Sequence, residues 1–305
     1  MMARRLRLAA GVGCEASTWT PEERAAYARS LRVNVSKTNR LQGQALADVR
    51  RQLEAARREV VERMVWAQAK ADAGGSSYDL ARLGQLQQDI QGVLLELGAR
   101  FPETAAEWGV KLAALASETV TAPLSVVLGG DLLPPFALSR SIAAASALTQ
   151  AELITRVTRE TVRRISTEID LAAMGVKSPF EAMEAVGRSL DSPSIFGSIA
   201  TRAEVIVRTE LGRVQSLAGQ ARLEEAAQWV HTLQKQWMHS GKATGRASHI
   251  AAHGQIRDVQ DDYEVGGARL RFPRDPAASA ATTIGCGCSS LPYVDGLSEA
   301  LPAAA

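Results

Sequence analysis

The sequence predicts a mainly α protein, with an elongated helical N-terminal part and a small α+β module at its C-terminal end. Three observations carry that prediction. Ala, Leu, Arg, Glu and Gln dominate long stretches while aromatic residues make up only 5% of the 305 residues, a composition that favours helices over strands. Apolar residues recur at steps of three and four through much of the first 230 residues. After Val230 that period gives way to partial alternation and to turns rich in Gly and Pro, as short strands require.

The elements follow in order. Residues 1–19 read as a flexible N-terminus. Thr20-Pro21-Glu22-Glu23 is a capping box with Pro at the first helical position. A longer helix is expected over 37–72, with Leu46, Val49, Leu53, Ala56, Val60 and Ala67 forming a narrow apolar seam. Arg50, Arg51, Arg57, Arg58 and Glu62 lie on its other face, so the seam suits a helical partner. Ser77 caps a helix to about Leu97, and Phe101-Pro102-Glu103 opens another that bends or ends before Pro123. Thr149 begins a second capping box, for a helix stopped by Gly175. Ser178-Pro179 and Ser194 start the next two. A helical domain over 20–200 is therefore expected, then a module over 201–292 and a frayed tail over 293–305. Within the module, 231–239 reads as a strand and 247–252 as a short helix. Gly266-Gly267 marks a hairpin between Tyr263-Glu264-Val265 and Leu270-Arg271-Phe272, and Ile284 to Ser289 a strand or knuckle.

Composition excludes a collagen, a disulfide scaffold and a largely disordered chain. The net charge of +2 conceals an asymmetry: residues 1–70 carry 14 Lys/Arg against 7 Asp/Glu, and residues 71–200 carry 10 against 15. Arg7 interrupts the apolar stretch near the start, and Leu8 to Gly13 is too short for an export signal. Pro123, Asp131, Pro134, Pro135 and Arg140 break the apolar region 122–148, so no membrane span is expected there. The basic face of the long helix mixes its Arg with Glu54, Glu59 and Glu62, which suits a solvated face or an acidic partner better than DNA.

All four histidines fall between His231 and His253, and two of the three cysteines are Cys286 and Cys288. His249 and His253 stand four apart on an expected helix, hence on one face. With Cys286 and Cys288 they offer the donor types of a tetrahedral zinc site, although one residue between the cysteines is fewer than in common zinc modules. The alternative is a buried His beside small core cysteines. Ile250 stands where a metalloprotease helix needs Glu, and neither Gly11-Val12-Gly13 nor Gly129-Gly130 is followed by the Lys-Ser/Thr of a phosphate loop. Asp261-Asp262 reads as a solvated face. No catalytic residue and no organic cofactor are expected, and the chain reads as no enzyme.

The C-terminal third carries an ordered pattern. Arg208-Thr209-Glu210 closes a helix that starts its motif at Ala203, and Lys235-x-Trp237, Arg246-x-x-His249 and Gly254 follow. Phe272-Pro273-Arg274-Asp275-Pro276 comes next, and Ile284-Gly285-Cys286-Gly287-Cys288 ends the set. Over residues 175–290 this resembles the phage Mu F-like head morphogenesis family, the minor head proteins of tailed phages. The family's ending is usually Asn-Cys-Arg-Cys, so Gly285 and Gly287 depart from it; the segment before His249 is usually acidic and arginine-rich, and here it is Ser240-Gly241-Lys242-Ala243-Thr244-Gly245. The resemblance implies a structural component of prohead assembly, inside the phage head near the portal and in the host cytoplasm during assembly. It implies the portal protein as partner, with the major capsid protein, scaffold or further copies beside it, and DNA contact as the alternative. Some relatives carry toxin or ADP-ribosyltransferase domains beyond the Mu F-like region. Glu210 or Arg208 is expected to pair with Arg246 or Asp275, with Trp237 as the core anchor near His249 and the two cysteines.

Overall fold

The computed structural model describes residues 19–73, 80–129 and 196–298, together with parts of 152–185. The chain is mainly α with a small α+β module at its C-terminal end. Long helices α1 (Pro21–Ala73), α2 (Leu80–Leu128) and α3 (Phe196–Ala227) precede that module. The module contains β1 (Leu233–Met238), α4 (Ala247–Ala251), β2 (Ile256–Asp258), β3 (Tyr263–Val265), β4 (Ala268–Leu270), α5 (Ala280–Thr283) and β5 (Ser289–Val294).

The capping box of α1 forms as expected. Thr20 N–H donates to Glu23 Oε2 at 2.8 Å and Glu23 N–H to Thr20 Oγ1 at 3.2 Å, which satisfies two N–H groups the helix cannot reach. The two helices expected over 21–72 are one. Neither Gly nor Pro stands between Leu31 and Gln42, and the polar residues there bond to their own helix. Asn34 Nδ2 donates to Ser30 O and Thr38 Oγ1 to Asn34 O, both at 2.9 Å, so neither competes for a turn. α2 likewise continues through Pro102 and Pro123, where two elements were expected. Each Pro removes one helical hydrogen bond, and burial of Phe101, Ala105, Val120 and Leu124 on the flanking turns holds the helix through. The expected caps at Ser77, Thr149, Ser178 and Ser194 lie outside the described residues. Near the expected stop at Gly175, Val176 N–H donates to Leu171 O at 3.0 Å, the bond that closes a helix C-terminus.

The chain forms two compact units, and they do not divide at residue 200 as expected. One gathers the described residues of 44–105 and 147–207, the other those of 1–43, 106–146 and 208–305. Both α1 and α2 contribute to each, which is why a boundary drawn along the sequence misses it. In the first unit the apolar seam of α1 is buried at Val49, Leu53, Ala56 and Val60. Ile90, Val93, Leu94, Leu97 and Phe101 of α2 are buried in the same unit, and Gln52 Nε2 donates to Thr104 Oγ1 at 3.1 Å across the two helices. The helical partner of the seam is thus α2 of the same chain. On the basic face, Arg50 binds Glu204 at 2.5 Å and Arg51 binds Asp48 at 2.8 Å.

In the second unit α1, α2 and α3 enclose a core of Tyr27, Leu31, Val120, Leu124, Leu223 and Val230, continued by Leu233, Leu291, Val294 and Leu297 of the module. α2 and α3 meet through the small residues Ala113, Ala116, Val214 and Ala218. The segment Gln87–Leu128 is long and apolar enough by composition to cross a bilayer. Its residues Leu112, Ala113, Ala116, Val120 and Leu124 are buried within the chain instead. α3 runs on to Ala227 rather than closing at Glu210.

The sheet is antiparallel in the order β2-β1-β5. Pro292, which has no N–H to donate, sits on edge strand β5. β3 and β4 pair around Gly266-Gly267, whose φ values of 60° and 80° are those a two-residue hairpin loop requires. Ile284 to Cys288 is a knuckle, and the strand follows it. The tail is folded further than expected: Leu297 is buried, and Ser298 Oγ accepts from Val294 N–H at 2.9 Å.

Candidate metal centre

Helices α3 and α4 and the loop at Arg274 converge on the knuckle, and each residue from Ile284 to Cys286 is held from outside. Arg246, at the start of α4, donates from Nη2 to Ile284 O at 2.6 Å. Thr209 Oγ1 on α3 accepts from Gly285 N–H at 3.0 Å. Arg274 donates from Nη1 to Cys286 O at 2.6 Å and from Nη2 to Ser216 Oγ at 3.1 Å. Arg274 is buried, and its φ of 67° is unusual for a side chain of its size. Gly212 makes room for it: a Cβ there would stand 2.6 Å from Arg274 Nε.

The clamps hold the two cysteines against His249. His249 Nδ1 lies 3.4 Å from Cys286 Sγ and 3.6 Å from Cys288 Sγ, and the three atoms lie within 4.8 Å of one another. All three residues are at most 3% exposed. In a tetrahedral site with Zn–S of ~2.3 Å and Zn–N of ~2.0–2.1 Å, nitrogen and sulfur stand about 3.6 Å apart. The observed separations fit that edge, and they also fit thiol–imidazole hydrogen bonds. Cys286 is pulled well below the usual thiol range, first by its hydrogen bond with Cys288 and then by His249 and Arg274, against the effect of burial. Cys288 is pushed up by the same shared bond and by burial.

His253 does not join the cluster. α4 ends at Ala251, so the one-face argument for a spacing of four does not hold there. His253 Nδ1 instead accepts from His239 N–H at 3.1 Å. The expected pairings of Glu210 and Arg208 are also corrected. Glu210 takes Arg213 on the next turn of α3, at 2.6 Å. Asp275 is a turn cap, its Oδ2 accepting from Arg271 N–H and its Oδ1 from Ala277 N–H, both at 2.9 Å. Gly254, with φ of 81°, donates its N–H to Trp237 O at 2.9 Å. Trp237 is the anchor expected, fully buried and edge-on to both His249 and Tyr263.

Sequence reasoning missed Arg274, Ser216, Gly212 and Lys242. Of these, Arg274 stands in the Phe272–Pro276 motif and Lys242 in the segment before His249. A Cβ on Gly287 would lie 2.9 Å from Ser240 Oγ and 3.1 Å from Lys242 Cε, so Lys242 lies over Gly287. Burial first, then the neighbouring charges of Arg208 and Arg274, push the Lys242 ammonium below its usual range.

Lys235 is a second buried cation, on β1. It donates to Arg271 O at 2.6 Å and to Gln220 Oε1 at 3.3 Å, and lies over the Tyr263 ring at 5.0 Å. Desolvation, with repulsion from Arg271, pushes it down to about 8 from 10.5. The unfolded chain therefore binds this proton more tightly than the folded one. Stability should be flat below pH 8, rise between about 8 and 10.5, and level off above, because stability rises with pH wherever the unfolded state binds more protons. Chemical denaturation at stepped pH should show this rise in the wild type and lose it in Lys235→Met.

No family profile matches the chain, and no solved structure does. The chain is similar to NAD(+)--arginine ADP-ribosyltransferase EFV of Enterococcus faecalis (strain ATCC 700802 / V583), with 31% identity over 96 residues, which is 32% of this chain and 20% of that protein. The chain therefore spans a fifth of the length of the relative it matches.

Proposed function

We propose that the chain is a structural protein of a tailed-phage or prophage head, acting in prohead assembly next to the portal, with a Mu F-like module as its C-terminal part. The observation that carries this reading is the convergence of the motif residues. Thr209, Trp237, Arg246, His249, Gly254 and Asp275 are spread over the sequence, yet they hold one knuckle or the strands that support it. A motif whose members clamp a fold supports a structural module. The similarity to an ADP-ribosyltransferase over only a fifth of its length agrees with a module shared between chains that differ elsewhere. Zinc is the ion we assign to His249, Cys286 and Cys288, as a structural staple of the knuckle.

Proheads purified from cells expressing the phage genes should contain this chain in few copies, and the chain should co-purify with the portal protein. Deletion should abolish infectious heads. Proheads that assemble normally without the chain would overturn the reading. The name of the relative favours one competitor, an ADP-ribosylating enzyme. Incubation with labelled NAD+ and arginine-containing acceptors should give no labelled product, and transfer above background would favour the enzyme.

A further inference from the structure

We propose that the ion at the knuckle has three protein ligands, His249 Nδ1, Cys286 Sγ and Cys288 Sγ, and that its fourth position takes an anionic ligand from outside the chain, attracted by Lys242. This rests on the cluster being a metal centre. The donor count comes first. No further His, Cys, Asp or Glu among the described residues joins the three. The two histidines nearby in sequence are engaged, His253 Nδ1 with His239 N–H and His239 Nδ1 with Gly241 N–H, both at 3.1 Å. Zinc is almost always four-coordinate in sites of this kind, and three protein ligands leave one position for an added donor.

Charge then selects the donor. Two thiolates neutralise a divalent ion, so the centre itself is neutral once the neutral imidazole is counted. Its surroundings are not. Arg274 donates to Cys286 O at 2.6 Å and Lys242 Cε lies beside Gly287, and among the described residues neither has an ion-pair partner within 4.0 Å. The carboxylate on this stretch of α3, Glu210, is bound to Arg213. A cationic rim around a neutral centre favours an anion over water or an amine. Lys242 also gives the direction of approach. Its side chain is exposed, and its Cε lies with Ser240 Oγ over Gly287, the one knuckle residue between the two cysteines.

The test uses the full chain purified under reducing conditions from zinc-supplemented cells. Metal analysis should give a single zinc per chain, and X-ray absorption should give two sulfurs, one imidazole nitrogen and one light donor. After exchange to cobalt(II), azide should shift the visible bands. Lys242→Ala and Lys242→Gln should keep the ion but weaken azide about tenfold, from the loss of one nearby charge, and His253→Ala should leave both unchanged. Bands insensitive to azide, or loss of the ion in His253→Ala, would overturn the open position while leaving the metal centre standing. Protein that binds no ion after reconstitution would overturn the centre itself.

Discussion

Arg274→Ala is expected to lower the stability of the C-terminal module by about 3 kcal/mol, because two buried acceptors lose their donor at about 1–3 kcal/mol each. Those acceptors are Cys286 O and Ser216 Oγ. The substitution also opens a void against Gly212, whose missing side chain exists to admit the guanidinium, and it removes the cation that faces the Cys286–Cys288 pair. Amide exchange in β1 and β5 of the full chain, measured against denaturant, reads the loss directly. Two further variants separate the causes. Arg274→Gly relieves the left-handed backbone, where φ is 67°, and should recover about 1 kcal/mol relative to Ala. Arg274→Lys should not rescue, since an ammonium lacks the planar fork that reaches a carbonyl and a hydroxyl together. A Lys variant as stable as wild type would mean that charge alone matters here and the two hydrogen bonds do not.

Much of the local structure was legible because it depends on neighbours in sequence. The Thr20–Glu23 box, the Gly266-Gly267 hairpin and the seam at Val49, Leu53, Ala56 and Val60 each follow from residues within a turn or two. What was not legible required knowledge of distant partners. Pro102 and Pro123 look like helix ends until the burial of Phe101 and Leu124 is known. The seam looks like an offered surface until α2 is seen to cover it. At the knuckle, the metal-ligating types were visible as an unusual clustering of His and Cys, but their membership was not. His253 was included on a helical spacing that ends two residues too soon. Arg274 was hidden because its partners, Ser216 and Cys286, stand 58 and 12 residues away, and Lys242 because it covers Gly287 from a loop that shares no motif with it.

Trp237→Ala should cost about 3–5 kcal/mol, the range for emptying a large aromatic site in a packed core, and it should also disorganise the His249–Cys286–Cys288 cluster. Trp237 lies near the end of β1, the central strand, and belongs to the same buried cluster as Tyr263, Cys286 and Cys288. Its ring stands 5.7 Å from that of His249 at 77° and 5.2 Å from that of Tyr263 at 74°. Edge-to-face pairs of this kind fix orientation as well as distance. Without the indole, the His249 ring loses the wall that directs Nδ1 toward the sulfurs. Trp237→Phe provides the control. It keeps an aromatic face and removes Nε1, which is buried without a hydrogen-bond partner. Relief of that unsatisfied donor, worth about 1–3 kcal/mol, offsets part of the lost volume, so Phe should be far milder than Ala. Denaturation midpoints and zinc content measured on the same preparations decide the matter. Both should fall together in Ala and stay near wild type in Phe. If Phe proves as damaging as Ala, the indole N–H bonds to a group such as an ordered water, and His249 is oriented by that bond rather than by ring packing.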